Sequence, residues 1–180
     1  MEQQQAPTPA PTSVADLDQA TLDWLREVFG CARSGDAETL ERLLGKGLPP
    51  NLRNEKGDTL LMLACYHGHL DAARVLLEHG ADPHIINDNG QAPLHGAAFK
   101  GDLAVTTLLL DKGTLPDHAG PSGKTALMFA AMFNRVEIAQ LLMDRGADPA
   151  RRSADGVSAL DAARRMGAPD TEALLAPLAG

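Results

Sequence analysis

The sequence contains few aromatic residues, few cysteines and no long hydrophobic run. Aromatics make up 3% of the 180 residues while hydrophobic residues make up 44%, so Ala and Leu supply most of the apolar surface. This composition favours many closely packed helices over an aromatic-rich sheet sandwich. Since no apolar run approaches the roughly 20 residues that span a bilayer, we expect no membrane association. Cys31 and Cys65 make no disulfide framework, which predicts a cytoplasmic location.

Positive charge is also scarce, with 16 Lys and Arg residues against 24 Asp and Glu and a net charge of −8. Such an acidic chain repels a phosphate backbone, so we expect no nucleic-acid partner. The N-terminus lacks the basic start and apolar core of a secretory signal. Residues 1–14, rich in Gln, Pro, Ala and Thr, predict a disordered tail. The excess of Arg over Lys, together with abundant Ala, suits a GC-rich bacterial genome.

What the chain does contain is an internal repeat of 33 residues. Three glycine series keep this period, with Asn134 standing in the third: Gly57, Gly90, Gly123 and Gly156; Gly47, Gly80, Gly113 and Gly146; Gly35, Gly68, Gly101, Asn134 and Gly167. Leucines follow the same period at Leu61, Leu94, Leu127 and Leu160, and at Leu43, Leu76, Leu109, Leu142 and Leu175. Three series in phase indicate one structural unit used several times.

Each unit predicts a turn, a helix, a short loop, a second helix and an extended connection. In the first full unit, TLLMLACYHG and LDAARVLLEHG are the helices, and ADPHIINDNG is the connection with a hairpin tip. The small pairs Ala64-Cys65, Ala97-Ala98 and Ala130-Ala131 let neighbouring first helices approach closely. Because one unit cannot bury its apolar face alone, the units must stack into an all-α solenoid.

These units resemble ankyrin repeats. The resemblance lies in the APLHGAA stretch, in the Gly-His-Leu element at residues 68–70 and in the Gly-Ala-Asp element, which occurs twice. It extends over about residues 21–180. We predict an N-terminal capping repeat at residues 15–50, three full repeats at 51–149 and a C-terminal capping repeat at 150–180. Both ends lose parts of the pattern and are polar, as terminal repeats must be for solubility.

The GPSGKTAL stretch, residues 120–127, ends like a nucleotide-binding loop. The full motif requires a glycine at position 118, which is His118, and no buried strand precedes the stretch. In the 33-residue register, Gly123, Lys124 and Thr125 instead form a hairpin tip and a helix start. Thr59, Thr125 and Ser158 are the expected N-caps of three first helices, and Pro93 suits the start of the remaining one.

The remaining chemistry-bearing residues have structural interpretations. No pair of the six histidines has the spacing of a helical zinc site, so we expect no metal. The resemblance implies that His95 hydrogen-bonds between repeats. Cys31 and Cys65 fall at the small buried pair and predict packed thiols. Since no catalytic or cofactor pattern stands out, we expect a non-enzymatic protein without cofactors.

The resemblance implies that partners contact the hairpin tips and the exposed face of the first helices. By register, the tip residues are Glu55, Lys56 and Asp58; Asp88, Asn89 and Gln91; Pro121, Ser122 and Lys124; and Ala154, Asp155 and Val157. The corresponding helix positions are Tyr66-His67, Phe99-Lys100, Met132-Phe133 and Arg165-Met166. Three of the six aromatic residues fall there, which suggests contact with a protein or peptide. In an alternative arrangement, these side chains pack only against one another or under the hairpins. Phe129, by contrast, matches a core position.

The sequence thus favours a scaffold that is monomeric when unbound and binds an unidentified protein or peptide, with its strongest contacts at Tyr66, Phe99, Met132 and Phe133. Two other classes of function remain open. One is a small-molecule or nucleotide site near Lys124, and the other is a structural or self-associating subunit.

Overall fold

Ten α-helices follow one another in five pairs in the computed structural model, which describes residues 18–178. The predicted tail at residues 1–14 lies outside this range. The helices are α1 Gln19–Ser34, α2 Ala37–Gly45, α3 Leu60–Tyr66, α4 Leu70–Glu78, α5 Pro93–Lys100, α6 Leu103–Asp111, α7 Ala126–Met132, α8 Val136–Asp144, α9 Ala159–Met166 and α10 Pro169–Leu175. Among the described residues, the only β-pairing outside helices is one antiparallel bridge between Arg53 and Thr59. The all-α solenoid is confirmed.

The helices form two layers, with first helices stacked on first helices and second helices on second helices. The first layer runs α1–α3–α5–α7–α9, and the second runs α2–α4–α6–α8–α10. From α3 onward, neighbouring first helices pack more extensively than neighbouring second helices, so the first helices line the inner face of this part of the stack. The small pairs make this approach possible, since Ala64, Cys65, Ala97 and Ala98 have no exposed surface.

The leucine series form the core between the layers. Leu61, Leu94, Leu127 and Leu160 are buried, as are Leu76, Leu109, Leu142 and Leu175. Burying one such side chain stabilises the fold by about 1.5–3 kcal/mol. Leu43 is only half-buried, because no helix pair within residues 18–178 precedes its own and covers it from that side.

The helix starts follow the sequence. The hydroxyls of Thr59, Thr125 and Ser158 accept hydrogen bonds from the backbone N–H groups of Met62, Met128 and Asp161. Pro93 begins α5 as expected. Each cap satisfies one of the N–H groups that a helix leaves without an intrahelical partner.

Two expectations about buried residues need correction. Phe129 is half-buried and packs against the core from its edge, with its ring 5.5 Å from that of His95, so it is not a fully enclosed core residue. Cys65 is fully buried, but Cys31 lies in the less covered terminal repeat and is half-buried. Burial raises the pKa of both thiols, consistent with packed, uncharged cysteines.

Candidate functional site

A groove runs along the inner face, between the first helices and the hairpin tips. A depression of about 340 Å³ in this groove lies between the repeats that contain α3 and α5. The helical side is formed by Met62, Leu63, Tyr66, His67, His95, Gly96 and Phe99, and the tip side by Asp58, Asn87, Asn89 and Gln91. A second depression of about 120 Å³ lies further along, beside Lys124, Met128, Met132 and Arg165.

Three aromatic side chains form a continuous row on the helical side. The rings of Tyr66 and Phe99 stack nearly parallel with centroids 6.0 Å apart, and Phe99 meets Phe133 edge-on at 4.6 Å. Tyr66 is 38% exposed, whereas Phe99, Phe133 and Met132 are half-buried. The rings therefore pack against one another, while Tyr66 remains exposed and Phe99 and Phe133 remain partly exposed. We call Tyr66, Phe99 and Phe133 the aromatic row.

Basic side chains accompany the aromatic row. The Lys100 ammonium lies 4.7 Å from the centre of the Tyr66 ring, within cation–π distance. His67 is exposed at the end of α3, with its ring 5.4 Å from that of Tyr66. Burial lowers the pKa of His67, and the nearby His69, Lys100 and Arg33 lower it further. The row is thus set in positively charged surroundings.

Gly96 creates the space above the aromatic row. It lies inside α5 in the register that carries Leu63 in α3 and Phe129 in α7. A Cβ at this position would meet Met62 Sδ at 3.4 Å and the Tyr66 side chain at 3.6–3.7 Å, which are ordinary contacts. The chain therefore places a glycine where a larger side chain would fill the groove. Its position inside a helix, outside the glycine series, was a signal that the sequence interpretation did not use.

His95 closes the floor of the groove with two backbone hydrogen bonds. Its Nδ1 accepts the Ala92 N–H at 2.8 Å, and its Nε2–H donates to the His118 carbonyl at 3.0 Å, joining two repeats as predicted. The ring must be neutral to do both, and burial lowers its pKa to about 4.

The hairpin tips form the other wall, and not all predicted tip residues are free to bind. Glu55, Lys56, Asp88, Asn89, Ser122 and Lys124 are exposed, and Gln91 is half-buried. Asp58 is held between two tips, because its carboxylate accepts hydrogen bonds from Asn87 Nδ2 at 2.8 Å and Asn54 Nδ2 at 3.3 Å. Val157 is only 9% exposed, although it borders the second depression.

Adjacent tips are linked by backbone hydrogen bonds, except in the middle. Asp88 N–H donates to the Lys56 carbonyl at 3.1 Å, and Ala154 N–H donates to the Ser122 carbonyl at 2.8 Å. The equivalent residue between them is Pro121, which has no N–H to donate. Asn54 and Asn87 each accept backbone N–H groups of their own tip through the side-chain oxygen. Gly120 occupies the same position in the next repeat and packs directly against the Gly90 carbonyl.

The Gly-Lys-Thr stretch does not have the geometry of a nucleotide site. Thr125 is buried, and its hydroxyl accepts the Met128 N–H at 3.4 Å. Lys124 lies at an exposed tip close enough to Asp155 to lower the pKa of that carboxyl, although the hydrogen bond from Ser153 lowers it most. Among residues 18–178, no three His, Cys, Asp or Glu side chains converge as a metal site would require. Within the same range, no helix is long and apolar enough to cross a membrane.

Comparisons with known proteins agree with this architecture. A family model described as ankyrin repeats in three copies matches residues 28–119, and a second, described as ankyrin repeats in many copies, matches residues 97–143. A protein of Pseudomonas aeruginosa, named as an ankyrin repeat protein, is 55% identical over 60 residues. That match covers 33% of this chain and 35% of the relative, so the chain aligns with about a third of that protein's length. The relative is bacterial, in line with the composition. Ankyrin repeats generally mediate protein–protein interactions and are typically not enzymes, and this chain belongs to the ankyrin repeat family.

Proposed function

We propose that this protein is a non-catalytic scaffold that binds a partner protein or peptide in the inner groove. The observation that carries the proposal is the aromatic row, which borders a depression of about 340 Å³ and keeps Tyr66 38% exposed. Exposed aromatic side chains beside a cavity are typical anchors for a partner, because they bury much apolar area with few rotatable bonds. Met132 extends the row toward the second depression.

Affinity capture from a native lysate tests the proposal. The wild type is compared with a triple variant, Tyr66→Ala, Phe99→Ala and Phe133→Ala, which should lose the captured partner. Losing one anchor costs about 2 kcal/mol or more of binding free energy, so three should abolish capture. Leu103→Ala is the matched control, since Leu103 is 42% exposed but lies on an outer helix.

Thermal unfolding of each variant separates binding from stability. Because Phe99 and Phe133 contact each other, we expect the triple variant to melt at a lower temperature while remaining folded at the temperature of capture. A folded triple variant that captures the same partner as the wild type would contradict the proposed site. Sedimentation of the pure protein addresses the alternative of self-association, for which a concentration-dependent mass is the expected result.

A further inference from the structure

The charge of the molecule is divided between its two helical layers. The second helices carry nine carboxylates and two arginines, whereas the first helices, α1 included, carry five basic residues and three acids. Of these acids, Asp23 pairs with Arg26 at 2.7 Å, and Asp161 accepts the Ser158 N–H at 3.1 Å and pairs with Arg152 at 3.1 Å. Within residues 18–178, the excess of negative charge therefore lies on the second helices, away from the helical wall of the groove.

The basic residues on this wall lie at both ends of the aromatic row. Arg33, Tyr66, Phe99, Met132 and Arg165 occupy the same position in five successive repeats, so an arginine stands at each end of an apolar centre. Lys100 follows Phe99 and lies over the Tyr66 ring. In residues 18–178, no carboxylate pairs with Arg33, Lys100 or Arg165 within 4.0 Å.

Two acidic groups near this wall are held in place by backbone hydrogen bonds, although they keep their negative charge. The carboxylates of Asp36 and Asp102 cap α2 and α6 by accepting the Thr39 and Val105 N–H groups at 3.0 and 2.9 Å. The hairpin wall is mixed in charge, with Asp88 lying 3.7 Å from Arg53. The first-helix side chains beside the aromatic row that lack a carboxylate within 4.0 Å, Arg33, Lys100 and Arg165, are all positive. The hairpin wall adds carboxylates, among them Asp155, which borders the second depression together with Arg165.

From this distribution we propose that the groove binds an acidic segment of a partner protein, with apolar side chains at its centre and carboxylates toward both ends. This rests on the function proposed above and adds the chemistry of the partner. The central side chain would lie over Gly96 against Tyr66 and Phe99, and carboxylates would pair with Arg33, Lys100 and Arg165. Four inter-helix steps of about 9 Å separate the two arginines, a span that about 11 or 12 extended residues cover.

A nucleic acid is the competing occupant, because bases also stack on aromatic rings beside cations. The exposed Glu55 and Asp88 on the opposite wall argue against it, since they would repel a phosphate backbone. A nucleic acid carries a negative charge at every phosphate, whereas an acidic peptide can place uncharged side chains opposite Glu55 and Asp88 and its carboxylates opposite the basic residues.

Selection from a random twelve-residue peptide display library on the intact protein tests the proposal. Enriched peptides should be acidic, with Asp or Glu flanking one or two apolar residues, and should lose binding to Phe99→Ala. Groove-binding peptides that are neutral or basic would overturn the acidic partner while leaving the proposed function standing. Peptides that bind Phe99→Ala as well as the wild type, or no enrichment at all, would count against both. Tighter binding of a twelve-nucleotide oligouridine than of any peptide would overturn it in favour of nucleic acid.

Charge reversal then locates the binding surface with the best-enriched peptide. Arg33→Glu with Lys100→Glu should weaken binding at least tenfold at low salt, and wild-type affinity should fall as salt rises. Arg42→Glu with Arg74→Glu makes the same change in total charge on the second helices and should leave affinity within about twofold. Equal losses in the two double variants would show that overall charge, rather than this groove, attracts the peptide.

Gly96→Ala supplies a variant that is not expected to unfold. The added methyl meets only ordinary contacts, and replacing a glycine inside a helix by alanine stabilises the helix, because the unfolded chain loses conformational freedom. We expect a higher melting temperature together with weaker binding of the selected peptide. A gain in stability with unchanged affinity would show that the peptide does not enter the space above Gly96.

Discussion

His95 links the stability of the fold to pH through a single buried ring. Its Nε2–H donates to the His118 carbonyl, and its Nδ1 accepts the Ala92 N–H. Because Nδ1 acts as an acceptor, it cannot also carry a proton, and the ring must stay neutral. Burial lowers its folded-state pKa to about 4, below the ordinary value of 6.5. Unfolding therefore takes up a proton at mildly acidic pH, so acid favours the unfolded chain. His118, whose pKa burial also lowers, acts in the same direction.

We predict that the stability contributed by the neutral His95 is fully present above about pH 7 and is lost as the pH drops from 6.5 toward 4. At pH 5, the linkage through His95 should lower the free energy of unfolding by about 2 kcal/mol relative to pH 7.5. Urea unfolding at pH 7.5 and 5.0 measures this difference. His95→Met is the matched variant, because Met62 and Met128 hold the same register. It should be less stable at pH 7.5 but show a smaller loss on acidification. An undiminished loss in His95→Met would contradict this role.

Single residues could be predicted from the sequence where the interaction is local. Thr59, Thr125 and Ser158 were predictable as caps because an N-cap bonds to a backbone group three residues away. Exposure was not predictable in the same way, since it depends on the neighbouring repeat. Val157 occupies a tip position by register, yet it is buried.

At the level of the helical element, each first helix is followed by a left-handed residue, and a side chain of the next repeat lies over Gly35, Gly68 and Gly101. The Arg135 side chain lies so close to Gly101 that a Cβ there would meet its Nε at 2.8 Å. Asn134 takes the same conformation, with φ 55°, in the repeat where the overlying residue is the small Ala168. The Asn134 side chain instead accepts the Asp170 and Thr171 N–H groups at 3.0 Å.

This pairing predicts that asparagine is tolerated at position 101 only when position 135 is small. Gly101→Asn should destabilise the protein by about 1–2 kcal/mol, because a left-handed non-glycine residue is strained and must also displace Arg135. Adding Arg135→Ala, which copies the Asn134–Ala168 arrangement, should restore part of the loss. Chemical denaturation of the two single variants and the double variant measures the coupling. Strictly additive effects would show that Arg135 does not matter at this helix end.

The order and register of the helices could be predicted, whereas the connections between loops could not. The glycine and leucine periods repeat a local pattern, so they place every pair. Links between loops reuse one position with different chemistry: Asn51, His84 and Asp117 accept the N–H groups of Asp82, Leu115 and Asp148. An amide, an imidazole and a carboxylate share no sequence signature, and only the stacked structure shows that they act alike.

At the scale of the whole molecule, each repeat contacts mainly its neighbours, which makes the ends less supported than the middle. Within residues 18–178, the last repeat packs against a neighbour on one side, and its second small position carries the exposed Arg164, which pairs with Glu172 at 3.0 Å. In such a one-dimensional array, stability is approximately a sum of repeat and interface contributions. A defect at an end should therefore act locally, whereas a defect in the centre should affect the array as a whole.

Leu109 and Leu175 allow this to be tested with one substitution at one register. Both side chains are buried, at 0% and 2% exposure, in the central and last repeats. Replacing either by Ala removes about 2–5 kcal/mol of packing. Hydrogen exchange should show that Leu175→Ala loses protection in α10 and α9 while α3 remains protected. Leu109→Ala should lower protection from α3 to α8, because it weakens an interface on both of its sides. If Leu175→Ala instead lowers protection equally in every helix, the solenoid unfolds as one cooperative unit and its repeats are not energetically separable.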